Sequence, residues 1–158
     1  MASKIKVDTL ETANGSGSIT INNPINTAGI TSVTAGTSNF VAGVNAGNSI
    51  TSGGNYNTAV GDEAGTAITT GDYNTAVGYA SLKANTTGER NTATGDWALT
   101  TNTTGSYNTA HGMNTLYYNT TGTQNVADGY GALHKNTTGD NNVAVGFESL
   151  YTNTTGHE

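Results

Sequence analysis

The chain has 158 residues and a formal net charge of −6; 34% of its residues are hydrophobic, 10% are charged and 22 are glycine. An ordinary domain is about 45–50% apolar and about 25% charged, so this chain cannot fill a large apolar core and must rely on backbone hydrogen bonds and small-residue packing. Five Lys and Arg in total argue against a nucleic-acid-binding surface, and the lack of cysteine excludes disulfides and thiolate metal sites.

Residues 1–35 are predicted to form a small N-terminal β segment. The stretches "KIKVDTLE" (4–11) and "SITINN" (18–23) alternate polar and apolar residues as strands do, and a turn-rich "TANGSG" connects them. A docking β-hairpin is the favoured interpretation, and a flexible leader is the alternative. The start lacks the apolar run of a signal peptide, and no stretch has the length needed to span a bilayer, so we expect no membrane insertion.

Residues 36–53, rich in Gly, Ser and Thr, are predicted to form an irregular lead-in coil, after which the chain becomes periodic. From Gly54 to Thr155, six repeats of 17 residues follow one another without insertion or deletion. If Gly54 is counted as the first position, asparagine always occupies the fourth, alanine the sixth and glycine the eighth. Leucine occupies the twelfth position in all but the first repeat.

This period predicts an all-β fold, a parallel β-solenoid of about six coils over residues 54–158. Helical hairpins and propeller blades need about 34 and 40 residues per repeat, whereas Gly, Asn, Thr and Val at regular spacing suit short strands and tight turns. Each coil is expected to hold two strands of about four to six residues and two turns. Stacking at about 4.8 Å makes six coils a rod of roughly 30 Å.

The recurring residues are expected to stack in ladders, the asparagines through their side-chain amides. Alanine at the sixth position should point inward, opposite leucine at the twelfth, and the glycines should lie where positive φ is needed or where Cβ has no room. The fifth and seventh positions should lie on an outward or inter-subunit face, because Asp128 could not be buried unpaired. The predicted ladder residues are Asn57, Asn74, Asn91, Asn108, Asn125, Asn142, Ala59, Ala76, Ala93, Gly61, Gly78, Gly95, Leu82, Leu99, Leu116, Leu133 and Leu150.

An interior of alanine and leucine is narrow, so association into a homotrimer is predicted. Aromatic residues recur at fixed positions and are expected to cement neighbouring chains or to pack on their own coil. Four of them are the candidate receptor contacts, chosen for stacking on carbohydrate: Trp97, Tyr117, Tyr118 and Tyr151.

No catalytic, cofactor or metal residues are predicted. The three histidines, His111, His134 and His157, fall at different repeat positions, so no Ser-His-Asp grouping can be argued from the repeat register. The acidic residues do not recur at one position in every coil, as a calcium-binding β-roll requires. The chain is therefore not expected to be an enzyme.

Two further patterns have structural explanations. The "NTT" triplets are formal N-glycosylation sequons, but one in every coil is better explained as a ladder-forming turn. The fifth-position threonines suggest an ice-binding face as a rival function, although that row ends in Val126 and Val143.

The segment "SKIKVDTLETANGSGSITINNPI" resembles the N-terminal segment of tail-fibre-like virion structural proteins of marine bacteriophages. The repeats "GxxNTAVGxxALxxNTTG" resemble those of phage fibres and bacterial surface proteins. Through stretches such as Thr75-Ala76-Val77-Gly78, they are similar, more loosely, to the head repeats of trimeric autotransporter adhesins. That resemblance implies a parallel β-roll assembled as a trimer.

The resemblance implies a structural protein of a phage virion, a fibre or fibre-like appendage located on the particle surface. Residues 1–35 would attach to other virion proteins, and the solenoid would contact a host-surface glycan or protein. The alternatives are a capsid decoration protein without receptor binding and a bacterial surface adhesin.

Overall fold

The computed structural model describes residues 36–157, which form an all-β solenoid with one strand in each coil. Seven strands lie in a single parallel sheet in the order in which they occur along the chain. Between residues 36 and 157 the structure contains no helix, and hence none that could cross a membrane. The strands are β1 (Phe40–Ala42), β2 (Thr58–Val60), β3 (Thr75–Val77), β4 (Thr92–Thr94), β5 (Thr109–His111), β6 (Val126–Asp128) and β7 (Val143–Val145).

The strands pair in the register of the repeat, which confirms the predicted solenoid. Ala59 pairs with Ala76 and Ala76 with Ala93, and the other pairs from β2 to β7 keep the same register. In each strand the middle residue is buried and its two neighbours are at least partly exposed. The prediction that the sixth position faces inward and the fifth and seventh face outward is therefore confirmed.

The prediction of two strands of four to six residues in each coil is wrong. One three-residue strand is present, because non-glycine residues adopt left-handed backbone conformations at the third, tenth and twelfth positions, as Tyr73 (φ 58°), Ala80 (φ 53°) and Leu82 (φ 47°) show. A left-handed residue turns the chain and ends an extended strand. The coils are still hydrogen-bonded to one another through these turns, for example from Leu82 N–H to the Ala98 carbonyl at 3.0 Å.

The interior consists of alanine, leucine and asparagine. Leucine at the twelfth position is fully buried from Leu82 to Leu133, and it belongs to the same core cluster as alanine at the sixth. In the last coil, Leu150 is 49% exposed because no further coil covers it. Each coil thus depends on its neighbour for the burial of its apolar side chains.

One compensation explains why the first repeat departs from the pattern. It has Gly65 where later repeats have leucine, and Ile68 where later repeats have asparagine. Ile68 is 1% exposed, and a Cβ on Gly65 would lie 2.8 Å from its Cδ1 atom, so the isoleucine occupies the space that leucine fills elsewhere. Gly47 and Ile50 form the same pair one coil earlier.

Residues 36–53, predicted to be an irregular lead-in, form a coil of the same kind. This coil carries β1, and Phe40 pairs with Thr58 at a spacing of 18 rather than 17 residues. The Thr51 N–H donates to the Thr69 carbonyl, which is also 18 residues away. The additional residue of this coil therefore lies between Thr51 and Gly54. The predicted β segment at 1–35 lies outside the described residues.

Candidate functional site

The fourth-position asparagines form a buried amide ladder, as predicted. Asn91 Nδ2 donates to Asn74 Oδ1 at 3.1 Å and to the Gly105 carbonyl at 2.9 Å. Asn74 Oδ1 also accepts the backbone N–H of Asn91 at 3.0 Å. Each amide therefore joins two coils, and its donors and acceptor are used inside the coil where water cannot replace them.

A second amide ladder runs through the asparagines of the "NTT" triplets. Asn102 Nδ2 donates to Asn85 Oδ1 at 2.8 Å and to the Gly105 carbonyl at 2.9 Å. The Gly105 carbonyl thus accepts from both ladders and ties them together. Because Asn85, Asn102, Asn119 and Asn136 are fully buried, the folded solenoid does not offer these sequons for glycosylation.

Acidic and polar side chains at the coil surface accept backbone N–H groups from the preceding coil. Asp72 Oδ1 accepts from Asn55 N–H at 2.7 Å, and Asp140 Oδ1 accepts from Thr123 N–H at 2.6 Å. Asp96 does the same for Tyr79 N–H at 3.0 Å. These aspartates satisfy backbone N–H groups at the edges of the coils.

Within residues 36–157, no group of three or more His, Cys, Asp or Glu is placed to hold a metal ion.

The four candidate receptor contacts are brought together on one side of the solenoid. Trp97 lies between Tyr79, at a ring-centroid distance of 4.9 Å, and Tyr117, at 6.2 Å. Beyond Tyr117 the contacts continue through a histidine to Tyr151. We call this row the aromatic ridge; its members are Tyr79, Trp97, Tyr117, Tyr118, His134 and Tyr151.

The rings of the ridge are packed in two ways. His134 and Tyr151 stack face to face at 4.8 Å with an angle of 9° between their planes, so each covers a face of the other. Tyr118 is instead steeply inclined to its neighbours, at 67° to Tyr117 and 84° to His134. Tyr118 is 48% exposed and is the most accessible of the four candidates, whereas the other three are half-buried.

Two lysines flank the ridge. Lys83 Nζ bonds to Glu63 Oε2 at 2.6 Å, and this hydrogen bond raises the pKa of Lys83 above its ordinary value. Lys135 places its ammonium 5.5 Å from the Tyr151 ring centroid, within the range of a cation–π contact. One lysine is thus neutralised by a carboxylate and the other lies over the ridge.

A second aromatic row follows the third repeat position on the surface. Tyr56 and Tyr73 stack at 4.9 Å, and the Arg90 guanidinium lies between Tyr73 and Tyr107, 5.3 and 5.4 Å from the two ring centroids. Arg90 takes the place of a ring in this stack, and it donates to the Tyr107 hydroxyl at 2.7 Å. This row supports the alternative interpretation of recurring aromatics, which is packing along the chain's own coils.

The last coils expose an apolar surface on the outer face of the sheet. Val126 pairs with Val143 in register, and Tyr130 stacks on Phe147 at 5.3 Å with an interplanar angle of 11°. All five members are at least 40% exposed, and Phe147 reaches 74%. We call this the C-terminal apolar patch; it consists of Val126, Val143, Val145, Tyr130 and Phe147.

Three polar groups at the seventh repeat position lie side by side on the sheet. Thr94 Oγ1 lies 2.5 Å from His111 Nδ1, and His111 pairs in register with Asp128 on the next strand. Because the three residues share one repeat position, the sequence already places them in neighbouring coils. His111 and Asp128 are exposed on an open sheet face, without the water-excluding surroundings that activate a nucleophile, so we assign the row no catalytic role.

Compared with known protein families, curated proteins and solved structures, the chain shows no match.

Proposed function

We propose that this chain is a structural protein of a bacteriophage particle, a fibre-like appendage whose solenoid projects from the surface and contributes to host attachment. The observation that carries the proposal is the continuity of the rod. From β1 to β7 every strand pairs with the next in one register, and two buried amide ladders run alongside. The resemblance of residues 4–23 and of the repeats to phage fibre sequences supports the same conclusion.

The geometry suits a mechanical role. Seven coils stacked at the spacing of hydrogen-bonded strands make a rod about 34 Å long. Bending such a rod must distort backbone hydrogen bonds and buried amide bonds in several coils at once, because each coil is bonded to the next along most of its length. A rod of this kind can hold a binding surface at a fixed distance from the particle.

The attachment end of the proposed appendage is residues 1–35, and the solenoid is proposed to act as a homotrimer. The C-terminal apolar patch supports the trimer, since grouped exposed apolar side chains commonly mark an interface. The exposed Asp128, which pairs in register with Val145, lies beside the patch. Second and third copies of this chain are the proposed occupants, with β6 and β7 facing one another.

Gold-labelled antibodies against residues 36–157 are expected to decorate one tail or appendage site on phage particles purified from cultures that produce this protein. Electron microscopy of the labelled particles provides the measurement, and antibody preabsorbed with purified protein provides the control. Label over the head would instead indicate a capsid decoration protein. Label on bacterial cells without any on particles would indicate a surface adhesin and overturn the proposal.

The Val143→Lys variant is expected to be monomeric, with the chain mass of 16.0 kDa, whereas the unaltered protein is expected at about 48 kDa (three times 16.0 kDa). A lysine in the patch would bring a charge into an apolar interface, and desolvating it is costly. Sedimentation or light scattering measures both masses.

Val44→Lys is the matched control, because Val44 is 59% exposed in the first described coil, outside the patch. It should remain trimeric. A single-chain mass for the unaltered protein would rule out the trimer, and a trimeric Val143→Lys variant would place the interface elsewhere.

A further inference from the structure

We propose that the aromatic ridge binds an extended polysaccharide, a neutral chain of β-linked hexopyranose units lying along the solenoid axis. This inference rests on the proposed function, because it names the ligand class of the attachment role. It concerns one surface of the rod and can fail while the fibre proposal stands.

The shape of the ridge favours a linear ligand. Its members are contributed by successive coils, from Tyr79 in the coil of β3 to Tyr151 in the coil of β7. Four coil spacings separate these two tyrosines, which amounts to about 19 Å along the axis. Neighbouring ring centroids from one end to the other lie between 4.7 and 6.2 Å apart. A straight surface built from repeated units matches a ligand that is itself straight and repetitive.

The chemistry of the ridge favours a sugar over an aliphatic partner. Every member is a ring, and tyrosine presents an apolar ring together with a hydroxyl at its tip. A hexopyranose unit has the complementary arrangement, with C–H groups on its faces and hydroxyls around its rim. The C-terminal apolar patch differs, since three of its five members are valine, and that composition suits a protein interface.

The packing of the ridge prepares it for binding. The stacked pair of His134 and Tyr151 holds its rings in place, so little side-chain freedom is lost when a ligand binds. Tyr118 lies outside that stack and keeps nearly half of its surface accessible, so it is the principal contact. A neutral chain fits because the charge of Lys83 is already paired with Glu63 and the Lys135 ammonium lies against the Tyr151 ring.

Affinity electrophoresis of the full-length protein tests the inference. Native gels would contain hydroxyethylcellulose, glucomannan or soluble chitin oligosaccharides, with dextran as the flexible α-linked control. We expect retardation by at least one β-linked polymer and none by dextran. The Tyr118→Ala variant should weaken that binding about tenfold, the scale of one aromatic contact, and Tyr118→Phe should retain most of it.

Tyr56→Ala is the matched control, since Tyr56 is 51% exposed and belongs to the other aromatic row. It should bind as the unaltered protein does. Absence of retardation by all three β-linked polymers would overturn the inference, as would equal losses in Tyr118→Ala and Tyr56→Ala. Antibody labelling of an appendage, combined with no binding of the protein to any of the polymers, would leave the fibre role in place and remove only this ligand.

Discussion

Replacing Asn108 with aspartate is expected to lower the free energy of unfolding by about 5 kcal/mol, through unsatisfied acceptors and a buried charge. Asn108 Nδ2 donates to Asn91 Oδ1 at 3.2 Å and to the Gly122 carbonyl at 2.8 Å. A carboxylate has no hydrogen to donate, so both acceptors would face a negatively charged oxygen in a fully buried site. Urea or thermal denaturation followed by circular dichroism measures the change.

Asn141→Asp is the matched control for this substitution. Asn141 is exposed and has a φ of 60°, a conformation that asparagine and aspartate both tolerate. Its stability is expected to stay within about 0.5 kcal/mol of the unaltered protein, as for most surface changes. Equal effects of Asn108→Asp and Asn141→Asp would show that the buried amide ladder does not hold the coils together.

The Gly95→Ala substitution is expected to prevent the central coils from stacking. A Cβ at this position would lie 2.6 Å from the carbonyl carbon of Gly112 and 2.7 Å from its oxygen, and these backbone atoms cannot rotate away. Relief would require separating two hydrogen-bonded coils. We expect loss of the cooperative unfolding transition, or a destabilisation of at least about 4 kcal/mol, which is exceptional for one substitution.

Gly146→Ala separates this contact from backbone strain. Gly146 occupies the same repeat position and has a φ of 119°, close to the 132° of Gly95, but a Cβ there has no atom within 4 Å. It therefore incurs only the conformational cost of about 1–3 kcal/mol. Equal losses in the two variants would assign the whole effect to φ and contradict the role of close coil contact.

Asn108→Asp and Gly95→Ala both test how one coil packs against its neighbours. The amide ladder requires a side chain that donates and accepts at the same time, and the glycine row requires the absence of a side chain. Both requirements arise from the neighbouring coils and not from the residue's own coil. This explains why Asn and Gly recur at these positions in every repeat while the outward seventh position ranges from Val77 to Asp128.

The 17-residue period by itself determined the class of fold, the stacking register and most of the interior. In a solenoid, residues one period apart lie next to each other in neighbouring coils, so an alignment of the repeats directly predicts which residues are in contact. The first repeat departs from the pattern within one coil, where Ile68 occupies the space that leucine fills elsewhere and Gly65 leaves it room.

Only the tertiary structure decided where the backbone turns between the stacked repeat positions. Leu99 and Trp97 adopt φ values of 50° and 62°, which these residue types rarely do, so their sequence gives no sign of a turn. The hydrogen bond from Leu99 N–H to the Thr115 carbonyl of the next coil holds that conformation. Two strands of four to six residues in each coil were predicted because the residues themselves give no local sign of these turns.

The aromatic ridge was likewise decided by the tertiary structure. Trp97, Tyr117, Tyr118 and Tyr151 occupy three different repeat positions, and the period relates only residues that share a position. The contacts between these rings depend on where the left-handed turns bend each coil. The sequence determines which residues stack from coil to coil because the period alone sets that spacing. The shape of the coil, and with it the surface available to a ligand, depends on the left-handed turns. Hydrogen bonds between neighbouring coils stabilise these turns.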